Sequence, residues 1–173
     1  MGMVCEMHAV SESTIEELIQ DPSGLESLLA GMINEDDGEL TDEGLSFDLD
    51  KSWHAIHFLL TGSTEEGEWP EAFMLVGGRP IGDEEYGYTI PRAFSAAEVR
   101  AIADALEAVP VEDFASRFDA RKLSEADVYP GIWDEPEHDL EESREYVVTY
   151  YDQLRQFLGT IAHKGMSMVL LIT

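Results

Sequence analysis

The spacing of apolar residues predicts a chain that is mostly helical. Apolar side chains recur three and four positions apart in several stretches, as they do when one face of a helix is buried. Ser13 with Glu16 and Ser95 with Glu98 also have the spacing of a capping box, in which a hydroxyl and a carboxylate close the first turn of a helix. Together these signals predict six helical segments, at about residues 14–20, 22–32, 53–61, 96–109, 111–117 and 140–163.

Short apolar runs predict only a few strands. Residues 72–76 form an apolar run that ends at two glycines, which is typical of a buried strand. Further extended segments are expected around Cys5, at residues 86–94 and at residues 169–172. Helices thus outnumber strands and do not alternate with them regularly. This pattern favours an α+β fold with a small mixed sheet over a doubly wound parallel sheet.

The length and the cysteine content narrow the expected setting of the protein. A chain of 173 residues fits one domain, predicted to span residues 1–173. Cys5 is the single cysteine and cannot form an internal disulfide. The sequence shows neither the pattern of a signal peptide nor an apolar run of about 20 residues. We therefore expect a compact, soluble, cytoplasmic protein that does not bind membranes, and the oligomeric state stays open.

The charge balance is the most unusual property of the sequence. The chain has 37 Asp and Glu against 10 Lys and Arg, a formal net charge of −27, and residues 1–86 contain only two bases, Lys51 and Arg79. Acids are densest at residues 35–43 and 65–71, which are predicted to be solvated loops. Such a field repels phosphate backbones, so nucleic-acid binding is not expected, whereas a basic protein partner would be attracted. Solubility or adaptation to salt explains the same excess and stays an alternative.

The sequence lacks the common signatures of catalytic and cofactor sites. It contains no dinucleotide-binding glycine motif, phosphate loop, nucleophile elbow or zinc-protease motif. His54 and His57 are three residues apart on a predicted helix and could share a metal ion, but two ligands do not make a site. No metal and no cofactor is predicted, and whether the protein is an enzyme is left open, with the balance against it.

Eight polar or amphipathic residues near predicted turns form the candidate ligand site. They are Asp50, Trp53, His57, Tyr86, Tyr88, Arg92, Trp133 and Asp134. In a ligand-binding protein or an enzyme, the aromatic rings and Arg92 would line one cleft. In a purely structural interpretation, Asp50 caps a helix, the Trp side chains fill the core, and Arg92 neutralises a carboxylate or joins loops together.

Several segments carry a family resemblance. Residues 49–62 read LDKSWHAIHFLLTG, residues 77–82 read GGRPIG and residues 129–134 read YPGIWD. Together with the opening MGM and the closing segment at residues 165–172, they resemble the YfbM-like bacterial proteins, a family of unknown function. The resemblance implies a single small α+β domain in the bacterial cytosol. It supplies no catalytic residues, because none is established for the family.

Two main functional hypotheses follow. In the first, the protein is a noncatalytic binding module of the inhibitor or immunity type, which predicts a continuous negative patch containing exposed apolar or aromatic residues. In the second, it is an enzyme or a small-ligand-binding protein with a cleft around Trp53, His57, Arg92 and Trp133, which predicts that these side chains converge on one open pocket. Mimicry of nucleic-acid charge would need regular rows of carboxylates, which the irregular acid clusters do not favour.

Overall fold

A computed structural model describes residues 2–33 and 46–173 of the chain. The helices in these ranges are α1 (Glu12–Gln20), α2 (Gly24–Ile33), α3 (Trp53–Thr61), α4 (Ala96–Glu107), α5 (Val111–Ser116), α6 (Ala120–Glu125) and α7 (Leu140–His163). The strands are β1 (Cys5–Val10), β2 (Ser46–Asp48), β3 (Arg79–Pro80), β4 (Arg92–Phe94) and β5 (Ser167–Ile172), and a short 3-10 helix, Asp50–Ser52, leads into α3. The acidic loop predicted at residues 35–43 lies outside the described residues.

The strands form one sheet in the order β2-β1-β5-β4-β3. The two longest strands, β1 and β5, pair along their full length, from Cys5 opposite Ile172 to Val10 opposite Ser167. Every strand pairing in the described residues is antiparallel. The predicted α+β class and the excess of helices are therefore confirmed, and the sheet is antiparallel where a mixed one had been expected.

Helices cover both faces of the sheet. The sequence of the central strand β5, SMVLLI, is apolar almost throughout. All six of its residues are therefore buried, on both faces of the sheet. Met168, Leu170 and Ile172 join the larger core with α3, α4 and α7. Val169 and Leu171 point to the opposite face and pack in a smaller core with α1 and α2.

One of the two predicted capping boxes is confirmed. The amide of Glu98 donates to the Ser95 side chain at 3.2 Å, and the amide of Ser95 donates to the Glu98 carboxylate at 3.3 Å. The other prediction is wrong, because α1 begins two residues earlier and its N-cap is Ser11, which accepts from the Thr14 amide at 3.2 Å. Ser13 lies inside the helix.

The strand predicted at residues 72–76 is wrong as well. This segment is a series of turns in which the Val76 amide donates to the carbonyl of Ala72 at 2.8 Å. Its first three residues are nevertheless sealed in the core, since Ala72, Phe73 and Met74 have no exposed surface, and Leu75 and Val76 are half-buried. The extended segment predicted at residues 86–94 is a strand only in β4, with an isolated bridge between Tyr86 and Thr89 before it.

Within the described ranges, the helices are all too short or too polar to cross a lipid bilayer. The longest, α7, has 24 residues but carries charged and polar side chains along its exposed side.

Candidate functional site

The eight candidate residues do not converge on one cleft. Asp50 and Trp133 line a cleft beside the start of α7, whereas Tyr86 lines a separate groove beside α2. Trp53 and His57 are buried, and Arg92 is turned toward backbone carbonyls of the loop before β3. The single open pocket predicted around Trp53, His57, Arg92 and Trp133 is therefore not found among the described residues.

His57 and its neighbour His54 form hydrogen bonds with backbone groups of nearby loops. His57 has no exposed surface, and its Nε2–H donates to the Glu66 carbonyl at 3.1 Å. Burial lowers the pKa of His57 to about 4, so the ring is neutral near pH 7. His54 accepts the Tyr129 amide at Nδ1 and donates from Nε2 to the Thr64 carbonyl, both at 2.9 Å. These bonds occupy both nitrogens of His54, so it has no free lone pair for a metal.

The two candidate tryptophans fill the core, as the structural interpretation predicts. Trp53 is 5% exposed and donates from its indole nitrogen to the Met3 carbonyl at 3.2 Å. Trp133 is 2% exposed and donates to the Val128 carbonyl at 2.8 Å. Trp53 also stacks on Tyr129, whose ring centroid is 6.4 Å away. Both indoles thus attach loop backbone to the core. Trp133 also lines the cleft beside α7 with the small part of its side chain that is exposed.

Arg92 departs from the prediction that it neutralises a carboxylate. Its guanidinium donates to the carbonyls of Gly77 at 2.8 Å and Phe73 at 3.0 Å, and it also donates to the carbonyl of Met74. The guanidinium carbon lies 5.4 Å from the centre of the Phe94 ring, a cation–π distance. Burial lowers the pKa of Arg92. Arg92 therefore joins a loop to the sheet through backbone carbonyls.

The remaining candidates lie at the surface. Tyr88 is 52% exposed, and its backbone amide donates to the Ile172 carbonyl at 2.9 Å. Asp134 is exposed in the loop after Trp133. Across the described ranges, no three His, Cys, Asp or Glu side chains come together in the way that a metal site requires.

Two neighbouring grooves beside the first turn of α2 carry a concentrated negative charge. One has a volume of about 440 Å³ and lies between α2 and the loop at residues 81–86, and the other, of about 580 Å³, lies between α1 and α2. We call this surface the acidic face, after the six carboxylates that line it: Glu17, Asp21, Glu26, Asp83, Glu84 and Glu85. No Lys, Arg or His is among the described residues that line either groove.

The acidic face has little exposed apolar surface. Leu25, Ile81 and Pro91 line the first groove but are buried, and Tyr86 beside them is half-buried. In the second groove, Leu18 is buried and Leu28 is half-buried. Carboxylates beside the half-buried Leu28 and Tyr86 suit a partner that is mainly cationic and carries some apolar surface.

The cleft beside α7 has a different chemistry. It has a volume of about 310 Å³ and is built from the 3-10 helix, the loop at residues 130–133 and the first turns of α7. The phenol of Tyr146 donates to the Asp50 carboxylate at 2.8 Å across its base. Burial and the neighbouring carboxylate raise the pKa of Tyr146, so the phenol keeps its proton. Sequence reasoning selected Asp50 and Trp133 but missed Tyr146, because it was placed only as a core residue of a helix.

Comparisons with known proteins agree on family and fold. A family model described as a domain of unknown function, DUF1877, matches residues 1–171. The crystal structure of a protein of unknown function, YfbM from Escherichia coli, has a TM-score of 0.70 and 18% sequence identity, and the match covers 98% of this chain and 99% of that chain. At this identity the likeness shows the fold alone. No match is found among the curated proteins.

Proposed function

Because the chain belongs to the DUF1877 family, whose function is unknown, we propose its function from its geometry. The protein is a noncatalytic binding module that engages a basic protein through the acidic face. The resemblance to YfbM-like proteins predicted from the sequence is confirmed by the family match and the fold, and neither of them supplies an activity.

The composition of the acidic face carries this proposal. Six carboxylates line its two grooves, and no basic side chain lines them among the described residues. Carboxylates without cationic neighbours create a local negative potential that speeds the approach of a cationic partner. Leu28 and Tyr86, which are half-buried in the grooves, give such a partner an apolar surface to bury. The binding hypothesis predicts a negative patch that contains exposed apolar or aromatic residues, and the local charge is the part of that expectation that supports the proposal.

The positions of the few bases agree with this assignment. Of the two bases in residues 1–86, Lys51 lines the cleft beside α7, and Arg79 binds the Glu16 carboxylate at 2.7 Å. Neither lines the acidic face. An inhibitor or immunity protein acting on a basic toxin in the cytoplasm would have this chemistry, and both that role and that location stay predictions.

The enzyme alternative gains no support from the candidate residues. Trp53 and His57 are sealed in the core, and Arg92 is committed to carbonyl groups. A substrate would have to reach these side chains for a reaction to occur there, and their burial prevents this.

The proposal is tested with a charge-neutralised variant. Asp83→Asn, Glu84→Gln and Glu85→Gln together remove three charges from exposed positions of the first groove. The probe is an amphipathic lysine–leucine peptide, with a glutamine–leucine peptide of equal length as its uncharged counterpart. We expect the triple variant to bind the lysine peptide about tenfold more weakly at low salt, and we expect weak binding of the uncharged peptide by both proteins.

A second triple variant serves as the matched control. Glu125→Gln, Glu137→Gln and Glu145→Gln also remove three exposed charges but line neither groove. This control should keep its affinity for the lysine peptide within about twofold. Equal weakening by both variants would show that the peptide senses only the total charge. The acidity would then serve solubility or adaptation to salt, and the proposal would be wrong.

A further inference from the structure

The cleft beside α7 has the size of a small-molecule site. Its volume of about 310 Å³ lies at the lower end of the range for ligand pockets, which suits a compact molecule better than a folded segment. Two segments far apart in the sequence build it, residues 50–51 and residues 130–146, and the bond from Tyr146 to Asp50 joins them across 96 positions. The cleft is therefore a product of the tertiary fold and of no single loop.

Asp50 has an oriented carboxylate in this cleft. One carboxylate oxygen, Oδ2, accepts the phenol proton of Tyr146 at 2.8 Å. Among the described residues no hydrogen-bond donor is assigned to Oδ1, so one acceptor is available to a ligand. The neutral phenol fixes the rotation of the carboxylate, and this lowers the entropy that a ligand would otherwise lose in ordering it.

The charges of the cleft favour a cation. Asp50, Asp139 and Glu142 contribute three carboxylates, whereas Lys51 contributes one ammonium group. His138 also lines the cleft, and its Nε2 lies 3.8 Å from the Glu135 carboxylate. Part of the Asp139 carboxylate is already engaged, since Oδ1 accepts the amides of Glu141 and Glu142 as the N-cap of α7. The carboxylate of Asp50 is thus the one best placed to bind a positive group.

One wall of the cleft is apolar. Pro130 and Ile132, both half-buried, face the cleft from the loop that connects α6 to α7, and the buried Trp133 lines it beside them. Ser143 and His138 of the opposite segment are polar. An apolar wall next to an oriented carboxylate suits a ligand with a short hydrocarbon part and a charged end. The partly exposed ring of Tyr146 adds a π surface, which also attracts cations.

We propose that this cleft binds a small organic cation, an alkyl ammonium or alkyl guanidinium compound, with the cationic end on Asp50 and the hydrocarbon against Pro130 and Ile132. The site is separate from the acidic face: the two share no lining residue. The proposal therefore stands or fails independently of the proposed function.

The test is an NMR titration of the full chain with n-butylguanidinium and n-butylammonium, with n-butanol as the uncharged probe. The indole N–H signal of Trp133 reports on the cleft. We expect at least one cation to shift this signal in a saturable way at millimolar concentration, and we expect butanol to leave it unchanged. A linear drift without saturation for both cations would overturn the proposal.

Two variants then locate the cation. Asp50→Asn should weaken binding at least tenfold. Asp50 has a left-handed backbone, with φ of 48°, which Asn also tolerates, so this variant is expected to fold. Tyr146→Phe should weaken binding about threefold, because the ring stays but the bond to Asp50 is lost.

Asp83→Asn on the acidic face is the matched control, and it should leave the affinity unchanged within about twofold. Thermal melting of each variant checks that it is folded at the titration temperature. If Asp50→Asn and Asp83→Asn change the affinity equally, the cation senses the general negative field of the protein, and the proposed site is wrong.

Discussion

Arg92 illustrates how one side chain can satisfy the backbone of a buried loop. The carbonyls of Phe73, Met74 and Gly77 lie in a segment of turns, and the guanidinium of Arg92 supplies a donor to each of them. Buried carbonyl groups without a partner cost free energy, so the loop depends on this residue. The scarcity of bases drew attention to Arg92 in the sequence. Its partners could not be predicted, because backbone carbonyls carry no residue signature.

Arg92→Lys should therefore destabilise the protein, although it conserves the charge. A lysine has one ammonium group and cannot reach three carbonyls with a planar fork, so we expect the free energy of unfolding to fall by about 2–4 kcal/mol. The measurement is urea denaturation. Arg79→Lys is the matched control, since Arg79 is exposed and forms a surface ion pair with Glu16, and it should leave the midpoint of the urea transition nearly unchanged. Equal stability of the two variants would contradict this role of Arg92.

At the scale of elements, the helices with a clear start or an apolar stripe were predictable, and these include the six-residue helix α5, which was predicted at residues 111–117. The helices α4 and α7 have a strong apolar stripe and clear caps, and they appear where the sequence placed them. The six-residue helix α6 and the three-residue strand β2 were missed, because they are too short for a period to show. The segment at residues 72–76 was predicted correctly as buried but wrongly as a strand, since an apolar run indicates burial and does not determine backbone conformation.

The N-cap of α1 can be tested by comparing two serines near the start of the helix. Both Ser11 and Ser13 precede apolar helical residues, but only Ser11 accepts a backbone amide of the first turn. Ser11→Ala should reduce the free energy of unfolding by about 1 kcal/mol, whereas Ser13→Ala should change it by less than about 0.5 kcal/mol. Urea denaturation of the two single variants measures both values. A larger loss for Ser13→Ala would restore the cap that the sequence suggested.

On the scale of the whole molecule, most arginines are engaged by backbone groups. Arg100 donates to the Ala162 carbonyl, Arg117 to the Leu59 carbonyl and Arg155 to the Leu106 carbonyl, each at 3.0 Å. These carbonyls lie in the last turns of α7, α3 and α4, where helices leave carbonyls without partners and favour positive charge. Arg92 donates to loop carbonyls in the same way, so four of the ten bases form hydrogen bonds to backbone carbonyls.

The candidate sites could be predicted only as far as local composition determines them. The excess charge of residues 1–86 indicated a negative patch, and the acidic face has that character. The predicted cleft failed because burial of Trp53 and His57 and the partners of Arg92 depend on contacts between distant segments. The bond between Asp50 and Tyr146 was equally invisible, since no local pattern links residues 96 positions apart.

The stability of the molecule should consequently rise with salt. With a net charge of −27 and several bases engaged by carbonyls, many acids lack a cation beside them and repel one another in the folded state. The Debye length falls from about 30 Å at 0.01 M to about 10 Å at 0.1 M salt, so sodium chloride screens this repulsion. If screening adds about 1–2 kcal/mol to the free energy of unfolding, Tm should rise by roughly 2–8 °C between these concentrations. Thermal melting at a fixed pH near 7 measures this shift. A Tm that stays constant or falls with salt would mean that the fold already separates its carboxylates well enough for repulsion not to limit stability.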